Sequence, residues 1–126
     1  MTNKHETPYA ALRRVFHEPS RMAIVTALCA HQKGLSFGDL KKGCTLTDGN
    51  LNRHLKTLAD AQAVRVKKVS HGTREYTMVR MTENGKEHFL DYLKTLEDVL
   101  RHTSIALAEE RVEKPAMLWQ TSAWAD

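Results

Sequence analysis

The stretch Thr47-Asp48-Gly49-Asn50-Leu51-Asn52-Arg53-His54-Leu55-Lys56-Thr57-Leu58 decides how the chain is read. At the helical period Leu51, Leu55 and Leu58 fall within about 60° of arc, which makes one apolar stripe. Thr47 stands where an N-capping hydroxyl belongs, and the helix it opens runs to about Ala61. Gly49, Asn50, Asn52, Arg53, Lys56 and Thr57 face away from the stripe, and His54 lies beside it, partly packed. Glycine and asparagine are poor helix formers, so their concentration in the first turns answers a need other than folding. Arginine bonds both acceptors on the major-groove edge of guanine, asparagine pairs bidentately with adenine, and lysine and threonine suit phosphates. Gly49 would allow a close backbone approach.

Working outward, Ser36 and Asp39 have the spacing of a capping box and open a short helix that ends at Gly43. Cys44-Thr45-Leu46 links it to the Thr47 helix, which makes a helix-turn-helix. Further upstream, Glu18-Pro19-Ser20 starts a helix with proline in its first turn, and Met22, Ile24, Val25, Leu28 and Cys29 form its apolar stripe. Tyr9 to Phe16 predicts another short helix, and Leu35-Ser36-Phe37 a brief extended segment. After Ala61 the period drops to two. Val64 to Val69 alternates apolar and basic residues, Ser70 to Thr73 is a turn with glycine, and Glu75 to Met81 is again strand-like. The three together predict a β-hairpin. Thr82 caps a long helix from about Glu83 to Arg111, which Pro115 stops, and the tail carries Trp119 and Trp124. The fold class is α+β, mostly α, with expected divisions at 1–81, 82–114 and a tail at 115–126.

Charge supports a polyanionic partner. The chain has 126 residues and a formal net charge of +4, but the distribution is uneven. Residues 41–74 hold eight bases against two acids, a net of +6, while the other 92 residues carry 11 bases and 13 acids. Each phosphate contact needs a cation nearby, and the basic middle supplies them. No apolar run exceeds four residues, far from the ~20 a spanning helix needs. Met1 to Glu6 lack the apolar region of a secretory signal, and two cysteines make no disulfide framework. A cytoplasmic protein that does not enter the membrane is expected.

The Thr47–Leu58 stretch resembles the recognition helix of small winged-helix transcription regulators of the MarR/ArsR type, whose compact subgroup carries L-T-D-G-N-L-S-R-H-L-x-x-L. Glu18-Pro19-Ser20-Arg21-Met22-Ala23-Ile24-Val25 is similar to the start of their second helix, and Met81-Thr82-Glu83-Asn84-Gly85-Lys86 to their step from wing into last helix. The likeness covers roughly residues 9–105. It implies a winged helix-turn-helix that binds double-stranded DNA as a homodimer, with helix 47–61 in the major groove and hairpin 64–81 on flanking DNA. Asn50, Asn52, Arg53 and Lys56 would face the groove, and Thr47 and Thr57 would lie beside it. Lys67, Lys68 and Arg74 would meet the backbone. The subgroup's wing usually has an Arg-Pro-Arg type tip, where this chain has His71-Gly72-Thr73-Arg74; the difference tells against minor-groove insertion, not against backbone contact.

In the long helix, Phe89, Leu93, Leu96, Leu100 and Leu107 make an a/d-type seam, and Tyr92, Val99 and Ala106 a second stripe beside it. One stripe serves the chain's own domain; two call for a second copy. About 28 residues would span about 42 Å, more than so small a domain needs.

Other classes fit less well. Cys29 sits in an apolar stripe, where a buried thiol is ordinary, and Cys44 has no second cysteine within reach of a metal motif. His88, Asp91 and His102 share one side of the last helix but not the D-x-H…H spacing of ArsR-type sensors, so no metal or other cofactor is expected. No phosphate loop, H-E-x-x-H or set nucleophile marks an enzyme. A winged helix used for protein contact should expose apolar anchors, and single-stranded nucleic acid would call for more exposed aromatics than Tyr76.

Overall fold

The computed structural model describes residues 8–113. These form α1 (Pro8–Phe16), α2 (Pro19–Cys29), β1 (Leu35–Ser36), α3 (Phe37–Gly43), α4 (Asp48–Asp60), β2 (Val64–His71), β3 (Arg74–Met81) and α5 (Glu83–Glu113). The chain divides into two compact units at Tyr92/Leu93. Trp119 and Trp124 lie outside the described residues.

Local chemistry explains where each helix begins. Pro19 occupies the first turn of α2, and both carboxylate oxygens of its N-cap, Glu18, accept backbone N–H bonds, from Ser20 at 3.2 Å and Arg21 at 2.8 Å. Ser36 accepts from the Asp39 amide at 3.1 Å at the head of α3, and Thr47 from the Asn50 amide at 3.2 Å at the head of α4. Both α3 and α4 end in Schellman geometry. Leu46 N–H reaches Lys41 O at 3.1 Å past a left-handed Thr45, and Ala63 N–H reaches Leu58 O at 2.9 Å past a left-handed Gln62.

The hairpin is longer and tighter than its sequence predicts. Pairing runs from Val64↔Met81 to His71↔Arg74, leaving only Gly72 and Thr73 in the loop. Gly72, at φ +66°, supplies the positive φ that a two-residue hairpin loop needs. The extended segment at Leu35–Ser36 turns out to be a third strand, pairing antiparallel with β3 to give the order β1-β3-β2.

The core of the first unit lies between this sheet and the helices, with Phe16, Ile24, Leu28, Leu40, Leu51 and Val79 all fully buried. Two expected core assignments change. Cys29, at the last position of α2, is exposed, because the stripe closes with Leu28. Phe89, read as part of a dimer seam, is buried in its own unit; its ring meets Phe16 edge-on at 5.0 Å, and Tyr92 stacks on it at 6.0 Å.

One junction joins α4, the hairpin and α5. Thr82 donates its backbone N–H to Ala63 O at 3.0 Å and its hydroxyl to Gln62 O at 2.7 Å, while the same hydroxyl accepts from the Gly85 amide at 2.8 Å. Gly85 is buried because it lies directly on this turn: a Cβ there would run into the Ala63 carbonyl. Replacing a helical glycine by alanine ordinarily stabilises. Here Gly85→Ala is expected to destabilise by about 1–3 kcal/mol through overpacking, seen as a lower midpoint in urea unfolding; a midpoint that rises would mean the junction yields.

Candidate nucleic-acid interface

Building outward from α4, Leu51, Leu55 and Leu58 are 0, 4 and 0% exposed and hold one side of the helix in the core. The other side is thereby turned to solvent. Asp48, Gly49, Asn50, Asn52, Arg53 and Lys56 are all exposed. Arg53 donates through Nη2 to Asn50 Oδ1 at 3.0 Å. One of five guanidinium N–H donors is spent, so the guanidinium is held in place with four donors still available. Thr57 differs from expectation: it is half-buried and its hydroxyl is turned back to Arg53 O at 3.2 Å. Lys56 lies 3.3 Å from Asp60, and Lys41 on α3 lies 2.8 Å from Asp48.

His54 is more deeply set than its position in the sequence indicates. It is 8% exposed, and its Nδ1 lies 3.4 Å from Arg21 Nη1 and 3.8 Å from Glu18 Oε2. Burial works to raise the Glu18 carboxyl, but the Arg21 and Ser20 amides and the neighbouring Arg21 charge together hold it below the usual carboxylate value.

On the wing, strand alternation separates residues that the sequence groups together. Lys67 pairs across the ladder with Met78 and shares its face with Arg65↔Arg80 and His71↔Arg74; Lys68 pairs with Thr77 on the opposite face and lies 4.0 Å from Glu75. Arg65 and Arg80 face each other directly, both exposed, and neither has an acidic partner within 4 Å among the described residues. Like charges opposed on a sheet are unfavourable, and an anion would relieve them. In the sequence Arg65 is one of eight bases in residues 41–74, and nothing in its composition pairs it with Arg80. The signal was the alternation itself, which places residue 65 two steps before Lys67. Phe37, Asp39, His71, Arg74 and Tyr76 line an open groove of about 540 Å³ between the wing and the start of α3.

His88 and His102 each commit Nδ1 to a carbonyl one turn back, those of Asn84 and Asp98, both at 2.8 Å. Among the described residues no three His, Cys, Asp or Glu side chains gather as a metal site, and no helix is long and apolar enough to cross a membrane.

With this geometry in hand, comparison with known proteins is decisive. Residues 20–100 match the winged helix DNA-binding domain family. The chain belongs to that family. An uncharacterized protein of Methanocaldococcus jannaschii is 34% identical over 80 residues, which cover 64% of this chain and 86% of that one. Among solved structures, a transcriptional regulator homologue from Pyrococcus horikoshii superposes with a TM-score of 0.68 at 28% identity, covering 71% of this chain and 88% of that chain. MepR, a transcription regulator of the Staphylococcus aureus multidrug efflux pump MepA, has the same fold: TM-score 0.59, 18% identity, covering 97% and 92%. MepR has also been solved in complex with DNA. The winged helix expected from the recognition stretch is therefore established.

Gly49 separates folding from binding. It is exposed, and a Cβ there meets nothing within 4 Å, so Gly49→Ala should stabilise the fold by about 0.5–1 kcal/mol. If the bare backbone serves a close approach to DNA, the same change weakens DNA binding. A thermal melt and a binding titration on one sample measure both, and a variant that is stabilised and binds undiminished removes that role for Gly49.

Proposed function

We propose that the protein is a sequence-specific, double-stranded-DNA-binding transcription regulator that acts as a homodimer. The observation that carries this is the outward face of α4, where Asn50, Asn52, Arg53 and Lys56 stand exposed on a helix whose other side is locked into the core. Asn50, Asn52 and Arg53 read base edges in the major groove. Thr47 and Lys56 lie along the flanking phosphates, while Thr57, its hydroxyl spent on Arg53 O, supports the helix from within. Lys67 and Arg74, with Arg65 and Arg80 behind them, follow the backbone from one face of the wing, and Lys68 approaches it from the other. Phosphate contacts provide salt-dependent affinity, and the base edges discriminate. Such a protein has no catalytic role and works in the cytoplasm, a reducing compartment that suits its two free cysteines.

The second copy is held by the helix beyond Tyr92. Leu93, Leu100 and Leu107 are exposed there, the last two by 60 and 56%, with Leu96 half-buried and Val99 and Ile105 also exposed. An unpartnered row of leucines at a/d spacing is what a helical pair buries. Two recognition helices then meet half-sites about one DNA turn, or roughly 34 Å, apart. A protein-interaction module is the weaker reading, because the exposed face of α4 presents no apolar anchor.

Selection of bound duplexes from a random pool at two salt concentrations should return a palindrome; no enrichment at low salt overturns the reading. On the selected site Arg53→Ala should cost about 1–3 kcal/mol and relax preference at one base position, whereas equal loss on random DNA would make Arg53 a phosphate contact only. For assembly, a cut after Glu87 would also remove the buried Phe89 and Tyr92, so point changes are the cleaner probe. Wild-type protein should sediment as a dimer, and the double variant Leu100→Asp, Leu107→Asp as a folded monomer with much weaker operator binding. A variant that remains dimeric would show the seam is elsewhere.

A further inference from the structure

Three polar side chains meet behind the recognition helix without reaching its outer face. Arg21 is their hub. Its Nε donates to the Val15 carbonyl in the last turn of α1 at 2.6 Å. Its backbone N–H is held by Glu18 at 2.8 Å, at the head of α2. Its Nη1 lies 3.4 Å from Nδ1 of the buried His54 on α4. A guanidinium has only protons to give, so Nδ1 is the acceptor and the ring proton is assigned to Nε2. Glu18 Oε2 lies 3.8 Å from the same Nδ1 but, with no proton between them, acts on the cluster through its bond from the Arg21 amide. One side chain thus ties the end of α1 and the start of α2 to the middle of α4.

We propose that Glu18, Arg21 and His54 are positioning residues that set the rotation of the recognition helix and so its base selectivity, without touching DNA. Leucine contacts are non-directional and tolerate small rotations; a hydrogen bond weakens steeply as its angle departs from linear. The distinction matters at the outer face. Side-chain tips lie about 5–6 Å from the helix axis, so a rotation of about 10° moves them by about 1 Å, enough to spoil a bidentate base contact. His54 follows Arg53 directly and stands one turn from Asn50, the two residues that hydrogen-bond each other on that face. Phosphate contacts by long lysines tolerate the same displacement. Losing the cluster should therefore cost discrimination and leave general affinity in place.

The inference rests on the DNA-binding reading, and one titration set tests both. Wild-type protein is measured first, as the ratio of affinities for the selected operator and for random DNA of equal length, over a range of salt. A wild-type ratio near one overturns the DNA reading itself, and the positioning role with it. Given wild-type discrimination, His54→Leu and Arg21→Met should each lower the ratio about tenfold, with random-DNA affinity and the salt slope unchanged. His54→Asn, whose side-chain oxygen can stand near the Nδ1 position and accept from Arg21, should recover most of the loss. Val25→Ala, in the core of α2 outside the cluster, controls for simple destabilisation: matched for melting temperature, it should keep its ratio. The positioning role is overturned if His54→Leu keeps the ratio, if His54→Asn fares no better than His54→Leu, or if Val25→Ala loses as much. A salt slope that falls by about one phosphate's worth in Arg21→Met would overturn it too, by making Arg21 a direct contact.

Discussion

Turning α4 by one residue's 100° would bring at least one of Leu51, Leu55 and Leu58 into water, and all three are buried. Each such leucine contributes about 1.5–3 kcal/mol by leaving water. The exposed ion pairs on the same helix, such as Lys56 with Asp60, contribute about 0–1 kcal/mol apiece. The apolar stripe therefore decides which way the helix faces, and nothing polar on its outer side competes. That leaves the outer side open to residues that folding would not choose, Gly49, Asn50 and Asn52 among them. The polar cluster at Arg21 adds what the leucines lack, a directional constraint within the limits they set.

The far end of α4 governs the rest of the unit. Gln62 in the left-handed region turns the chain so that Ala63 can bond back to Leu58, and the Ala63 carbonyl then receives the Thr82 amide. Both strands of the wing spring from this point, as Val64 pairs with Met81. The start of α5 is fixed there as well, through the Thr82 hydroxyl and the close approach of Gly85. Recognition helix, wing and last helix thus share one anchor a few residues wide. A change at Gly85 should be felt in all three, although that residue is far in sequence from the exposed side chains of α4.

Much of this was legible because it is local. The caps Ser36, Thr47 and Thr82 announce helix starts through side chain and spacing alone, and the alternation from Val64 onward announces a strand. What stayed hidden depends on pairs distant in sequence or on backbone that composition does not mark. Leu35–Ser36 is too short for its period to identify a strand; its partners, Val79 and Met78, lie more than forty residues on. Thr45 and Gln62 occupy left-handed positions where glycine is usual, so no residue type flags the two Schellman turns. His54 looks like a border residue on a helical wheel, and only the tertiary approach of Arg21 and Glu18 explains its burial. Phe89 fits the leucine repeat by number, but Phe16 claims it first.

The distribution of ion pairs bears on how the surface would exchange solvent for DNA. Lys41, Lys56 and Lys68 each face an acid, Asp48, Asp60 and Glu75, whereas Arg65 and Arg80 face only each other across the ladder. A paired lysine must trade its carboxylate for a phosphate, an exchange with little net gain because both partners are exposed and water screens them. Arginines held in mutual repulsion gain on any approach of negative charge. On the DNA-binding function proposed above, the wing's unpaired cations would therefore add more to affinity per residue than the paired ones near α4, even though α4 would hold the base-reading groups. Affinity and selectivity would in this way be drawn from different parts of one small sheet-and-helix unit, which is why the +6 of residues 41–74 points to a polyanionic partner but not to a preferred sequence.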